Sequence, residues 1–540
     1  MQLFTDAPAR LLPPLPPDAL AVVAPPTYRT AEDSFAPAVD ERTLEVFRRA
    51  RNPEDPLELR DLWLGRVEHE LGRHGSRPWL AERWRGRAPR RDVTAEEVLS
   101  SGATVAFVHE LFRWFFREEC TDDTPSAPEL SLLPDSVAAC ASELPQTVRD
   151  CISYALKRDW YGYSDSCGRI PAREALAAFE NQRVDGACYT AGNLALTMGG
   201  AFAVSGLADL VLSGRAASAA PALCAIPNHP APVAAVARRG AVRLIPLTCT
   251  DGTMSLGPLI AALTPDTPLV LLPTAAGTTG ARIAEDELAD LVRQAAPSTA
   301  ILLDESHEWL GDTTPLSAAR AASNVIRICG SARVWQPEVV ESGWIVADRA
   351  FVADYYEYAS TSFGGPPSLL YTAVEVTARM ERWLIGGTDR IGPAEAAEFE
   401  TGYRLRRAPL QRAYDRYRRE RRSREATLTA LREAAAHRLS RMATVTRPRC
   451  SVNLLLTARG WDDSYRLAGE LLRETGVATY PGILDFCFAG GALRITTAQQ
   501  WPRLAAAISR LRPVLEGGPP APTPPGRPDR RHPTPGSEGS

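Results

Sequence analysis

The sequence predicts an α/β fold: a mostly parallel sheet flanked by helices, with a small C-terminal α+β domain and an N-terminal helical extension. Three observations carry this expectation. From about 145 to 385, short apolar runs of strand length alternate with helical stretches and turn residues, the pattern of a sheet covered on both faces. Beyond 440, a strand–helix–strand–helix pattern repeats in a much shorter span. Before 125, apolar residues recur at helical spacing.

In chain order, residues 1–40 are rich in proline and alanine, as in Leu12-Pro13-Pro14-Leu15-Pro16-Pro17, and are expected to be extended or disordered. An accessory helical region is expected over 41–129. Its clearest segment is Val105 to Glu119, with Phe107, Leu111, Trp114 and Phe115 on neighbouring turns. Those apolar faces need a cover, most simply the main domain or a second subunit. The large domain is expected over 130–398, with strands at Leu207–Leu212, Ala222–Ile226, Val242–Pro246, Leu269–Leu272, Ile301–Leu303, Val325–Ile328 and Trp344–Ala347.

A long basic helix, roughly 399–442, opens the last folded part, 399–516. Its arginines (Arg404, Arg406, Arg407, Arg412, Arg416, Arg418, Arg419, Arg421, Arg422) are interleaved with acids and tyrosines, which reads as a solvated face. Strand Val452–Thr457, helix Asp462–Thr475, strand Ala492–Thr496 and helix Trp501–Leu515 follow. Residues 517–540 are rich in proline, glycine and serine and are expected to be disordered.

Composition excludes several function classes. The net charge of -4 gives no electrostatic case for nucleic acid or a membrane surface. No apolar run is long enough to span a bilayer. Residues 1–10 lack a charged segment followed by an apolar one, so no signal peptide is expected. Ten cysteines without a CxxC pair read as buried small residues in a reducing compartment, and the expected location is cytoplasmic. The chain has 60 arginines and a single lysine, Lys157.

Several ordered segments resemble the class I/II aminotransferases, the fold-type-I enzymes of pyridoxal phosphate (PLP). Tyr161-Gly162-Tyr163-Ser164-Asp165 is similar to the family's Tyr-Gly-Tyr segment, and Gly192 to Ala201 to its phosphate-cradling strand–turn–helix. Leu302-Leu303-Asp304-Glu305 resembles the strand ending in the acid of the pyridine nitrogen. Gly330-Ser331-Ala332-Arg333, with Ser342-Gly343-Trp344, resembles the lysine loop and its following strand. Pro481-Gly482 and Ala492-Leu493-Arg494-Ile495 resemble the small domain with its carboxylate-binding arginine. Together these cover roughly 130–512.

Asp304 ends an apolar run, which puts a carboxylate at the carboxyl edge of the sheet, where open α/β sheets bind ligands. The resemblance implies that this acid keeps the ring nitrogen protonated. Bare amides at Gly199, Gly200 and Ala201 suit a phosphate, although Met198 stands where the family has a hydroxyl. Arg494 is implied to hold a substrate carboxylate through paired hydrogen bonds, His229 to stack on the ring, and Tyr161 to complete a neighbour's site in a homodimer.

The departures are equally specific. The Schiff-base position falls on Arg333, and a guanidinium stays protonated, so Arg333 is not competent for that bond. A one-residue slip gives Ala332 or Val334, neither an amine. Glu341 replaces an arginine for the phosphate. Gly277-Thr278-Thr279-Gly280 replaces a loop that begins with asparagine. His307 replaces a tyrosine and is a candidate for proton transfer, since an imidazole titrates near pH ~6.5. Lys157 precedes Tyr161 by four residues, outside the Schiff-base slot.

Three readings stay open. One is a diverged aminotransferase-like protein binding PLP or pyridoxamine phosphate (PMP) without a covalent bond, plus a small amino or keto acid, in amino-acid or specialised metabolism. Another is a pseudoenzyme kept as a dimeric structural or regulatory subunit. The third is a PLP-independent enzyme using His307, His229 and Glu341, with no metal site assigned.

Overall fold

A computed structural model describes residues 2–20, 26–29, 34–72, 75–120, 128–133, 144–160, 162, 165–213, 220–311, 315–330 and 342–519. The accessory region is helical: α1 (Glu41–Arg49), α2 (Pro56–Leu71), α3 (Pro78–Arg85), α4 (Ala95–Ser100) and α5 (Gly102–Trp114). Short polar side chains start these helices. Asp40 caps α1, Asp55 caps α2, and Thr94 with Glu97 forms a reciprocal box on α4. After Trp114 the chain widens into a π-helical turn, Phe115–Glu119.

Next come α6 (Gln146–Lys157), α7 (Ile170–Arg183), β1 (Leu194–Thr197), α8 (Gly199–Leu212), β2 (Ala222–Ile226), α9 (Pro230–Ala237), β3 (Val242–Pro246), β4 (Leu269–Pro273), β5 (Ala300–Asp304), β6 (Val325–Gly330) and β7 (Gly343–Val346). The seven strands form one sheet in the order β1-β7-β6-β5-β4-β2-β3. Every pairing is parallel except those of β7, which runs antiparallel to both neighbours. Four of the strands, β1, β2, β4 and β7, are buried along their whole length, as a sheet covered on both faces requires.

The chain continues through α10 (Tyr371–Ile385), α11 (Pro393–Tyr403) and α12 (Arg407–Leu439) into a second sheet. Its strands are β8 (Thr444–Val445), β9 (Asn453–Ala458), β10 (Tyr480–Pro481) and β11 (Gly491–Thr496), in the order β8-β9-β11-β10. Helices α13 (Ser464–Thr475) and α14 (Trp501–Gly517) pack with it.

Three sequence expectations are corrected. Leu207–Leu212 is the last part of α8, not a strand. The helix is apolar nearly all round because it is covered broadly, so its sequence shows no helical stripe to read. The basic helix is two helices, broken where Arg404 takes a positive φ of 52°. Its arginines are not one solvated face. Arg416 is buried against Asp150 at 3.0 Å, and Arg421 pairs with Glu381.

The described N-terminal arm is pinned to the rest of the chain and is mostly extended, except for one helical turn, Pro17–Leu20, where the sequence reading expected no helix. Leu3 and Phe4 are buried, the Thr5 N–H donates to Asp150, and the Arg10 N–H donates to Glu420. Farther on, Tyr28 bridges to Val445 and Phe35 to Cys249. The tail beyond 519 lies outside the described residues.

The accessory helices are covered within the chain. Helix α5 packs on α9 and on the turn Gly482–Asp485, and α2 packs on α13. A buried ion pair, Arg66–Asp463, fastens α2 to the start of α13. No helix among the described residues is long and apolar enough to cross a membrane.

Candidate active site

The carboxyl edge of β5 anchors the site. Asp304 is its last residue and is buried at 8% exposure. One carboxylate oxygen, Oδ1, accepts the Ser306 N–H at 2.9 Å, a tight turn that carries the chain away from the sheet. That turn sets Ser306 and His307 over two glycines. A Cβ on Gly200 would lie 2.6 Å from Ser306 Oγ. A Cβ on Gly277 would lie 2.5 Å from the His307 ring. Both distances are far inside van der Waals contact, so these positions tolerate no side chain while their neighbours stay put.

Gly199, Gly200 and Ala201 form the first turn of α8. Gly199 has φ of 80°, a conformation open to glycine. Met198, the capping residue, makes no side-chain bond to the first turn. Ser306 places a hydroxyl over Gly200 in this turn. Bare amides plus one hydroxyl form an arrangement that attracts an anion. The sequence held a signal for Ser306, two residues beyond Asp304, but only the sharp turn brings it over Gly200.

Arg494 sits on β11 directly opposite Tyr480 on β10. This cross-strand register places its guanidinium over the Tyr480 ring, 3.6 Å from the centroid. The guanidinium already has a carboxylate: Nη1 donates to Asp485 Oδ2 at 3.0 Å. Asp485 also accepts from the Thr278 hydroxyl at 2.5 Å and from the Tyr480 hydroxyl at 2.8 Å. Arg494, Asp485, Thr278 and Tyr480 are all buried. Burial, then the neighbouring Asp485 charge, pushes the Tyr480 phenol well up, so it stays a donor. Arg494 Nε is buried and unbonded. Asp485 and Tyr480 were not singled out in the sequence, which gives no sign that a 3-10 turn returns a carboxylate to β11.

His229 caps α9. Its Nδ1 accepts the Ala231 N–H at 3.3 Å, and its ring meets Phe112 of α5 edge-on at 5.3 Å. Phe112 and Phe116 also touch Tyr480, so the accessory helices supply an aromatic ledge beside Asp485. The Asn228 N–H donates to the Asp485 carbonyl at 3.2 Å, and Asn453 Nδ2 donates to the Gly277 carbonyl at 2.6 Å. These links join Asp304, His307, Gly277, Asp485, Arg494 and His229 into one neighbourhood.

Behind Asp304 lies a network that the sequence reading missed. Glu305 pairs with Arg327 at 2.7 Å and Arg320 at 2.8 Å. Arg327 pairs onward with Glu180, and Arg320 with Glu308 and Glu285. Arg183 and Arg282 complete it, four arginines against four glutamates. Burial would raise the Glu305 carboxyl, but Arg327 and Arg320 outweigh it and hold the group well below its usual range.

Lys157 is exposed at the end of α6, a helix that packs on α10 and α12. Tyr161, Arg333 and Glu341 lie outside the described residues. Among the described residues, no three His, Cys, Asp or Glu side chains group as metal ligands.

No family model matches the chain, and no curated protein matches it. Solved structures do. A Thermus thermophilus aspartate aminotransferase variant superposes with a TM-score of 0.56 at 18% identity, over 72% of this chain and 96% of that one. The aromatic aminotransferase of Pyrococcus horikoshii gives 0.58 at 16%, over 72% and 96%. The N-succinyldiaminopimelate aminotransferase of Mycobacterium tuberculosis gives 0.55 at 20%, over 68% and 90%. With its seven-stranded sheet and the single antiparallel strand β7, this chain has the aminotransferase fold of the fold-type-I PLP enzymes.

Proposed function

We propose that this protein keeps the aminotransferase fold without conventional transamination, as a pseudoenzyme for amino transfer that serves as a dimeric structural or regulatory subunit. One observation carries the reading: the chain's only side-chain primary amine, Lys157, is exposed at the end of α6, a helix that packs on α10 and α12, whereas Asp304 is buried at the end of β5. No other side chain can form the covalent bond to a pyridoxal aldehyde that transamination needs, and its loss costs orders of magnitude in rate. The test is borohydride reduction of purified protein incubated with PLP, then peptide mass spectrometry. A phosphopyridoxyl group on Lys157, together with amino exchange between an amino acid and a keto acid, would overturn the reading. Light scattering tests the dimer.

A second reading, a non-covalent PMP or PLP binder, is favoured by Ser306 Oγ standing over the uncapped first turn of α8 beside Asp304. The residues present suit the phosphate and ring of such a group, not its covalent attachment. The Gly200 and Ala201 amides and Ser306 would hold the phosphate, and Asp304 would hold a proton at the ring nitrogen. Bound there, the group would supply an electron sink for a small amino or keto acid. Calorimetry with PMP separates the two readings: binding lost in Asp304→Ala supports the second, and no binding removes it. The PLP-independent reading gains nothing, because His229 Nδ1 is held as a helix cap and the His307 ring is packed on Gly277.

A further inference from the structure

Arg494 is surrounded by groups that all address one carboxylate. The guanidinium and the Thr278 hydroxyl donate to Asp485 Oδ2, and the Tyr480 hydroxyl donates to Oδ1. Three donors from three chain segments thus converge on two oxygens. They reach the chain only through the Asp485 Cβ, so the recognition belongs to the carboxylate group and not to the residue that carries it. Nothing else in this group could replace it, since the arginine cannot lose its proton and the Tyr480 phenol is held protonated.

Truncating Asp485 at Cβ would leave a buried cation and two buried hydroxyls without their acceptor. An uncompensated buried charge is among the costliest defects a fold can carry. A free carboxylate small enough to enter would restore the same three hydrogen bonds. The hole left by Asp485→Ala is one carboxylate in size, which selects formate over longer acids.

We propose that the Arg494–Thr278–Tyr480 cluster is a carboxylate-binding site filled from within, with Asp485 as its resident occupant, and that removing this side chain turns the cluster into a site for a free monocarboxylate. In the intact chain the occupant makes Asp485 the residue that decides specificity, by excluding small acids from Arg494. No cofactor enters this inference, so it stands or falls independently of the function proposed above.

Thermal melts in formate, with chloride at equal ionic strength as reference, test it. Asp485→Ala should melt lower than the wild type, and formate should raise its melting temperature saturably by at least about 2 °C. Acetate should act less and butyrate not at all. Wild type and the double variant Asp485→Ala/Arg494→Leu should show no formate shift beyond the chloride reference. If Asp485→Ala is isolated unfolded, the refolded fraction after dilution from urea, with formate against chloride, becomes the readout. Equal shifts in all three proteins would overturn the proposal, as would a folded Asp485→Ala that ignores formate, or refolding that is indifferent to it.

Discussion

The two ends of the candidate site differ in how they meet a negative charge. At the α8 end, the first-turn amides, a positive-φ glycine and the Ser306 hydroxyl lie together, and the capping residue Met198 makes no side-chain bond to the turn. At the β11 end, the strongest cation is already satisfied by Asp485. The lesson is that a residue's place in the strand pattern does not fix which group its side chain meets. Arg494 keeps its place in the strand pattern, yet a turn nine residues earlier has taken its guanidinium. The α8 end is defined instead by what is missing: side chains at Gly200 and Gly277 that their neighbours would not tolerate.

Breaking the filled end should have the largest effect. Arg494→Leu buries Asp485 without its cation and should cost about 3–5 kcal/mol of stability in urea titrations. Replacing both partners, Arg494→Met with Asp485→Leu, should cost far less, because no charge is left stranded. A double variant as damaged as the single would mean that packing, not charge, sets the value of this end.

Next comes the support behind the open end. Glu305→Gln should cost roughly 2–3 kcal/mol at pH 7, the range for hydrogen bonds to charged partners. The folded Glu305 carboxyl lies below its unfolded value, so its contribution is complete above about pH 4.3 and is lost as pH falls toward the folded value. The gap between wild type and variant should therefore close in acid. A gap that stays constant from pH 7 to pH 3 would contradict a charged role for Glu305.

At the open end itself, Gly200→Ala should cost about 1–3 kcal/mol through the clash with Ser306. Adding Ser306→Gly should recover most of that stability and still weaken any PMP binding, since the hydroxyl is gone. The smallest effect belongs to Lys157→Arg, within about 0.5 kcal/mol as for an exposed residue, with no change in absorbance after adding PLP. A lost absorbance band there would show that the lysine matters after all.

Legibility differed between fold and site for physical reasons. Strands such as Ala222–Ile226 and Leu269–Pro273 were readable because a sheet covered on both faces demands continuous apolar runs. The same rule misled at Leu207–Leu212, where a broadly covered helix is equally apolar. Asp304 was readable because it ends such a run. Ser306, Asp485 and the arginines around Glu305 were not, because their meaning depends on partners distant in sequence, as with Arg327 and Glu180, 147 residues apart.

By itself, the sequence determined the covalent inventory: one lysine, the absence of an amine at Arg333 and its neighbours, and the alternation that makes an α/β sheet. Local chemistry and periodicity suffice for those. Only the tertiary structure decided that Arg494 is answered by Asp485, that Ser306 stands over Gly200, and that His307 fills the space beside Gly277. Such pairings are set where buried charges must find partners and close-packed side chains must find room, and both requirements act across segments that the sequence keeps far apart.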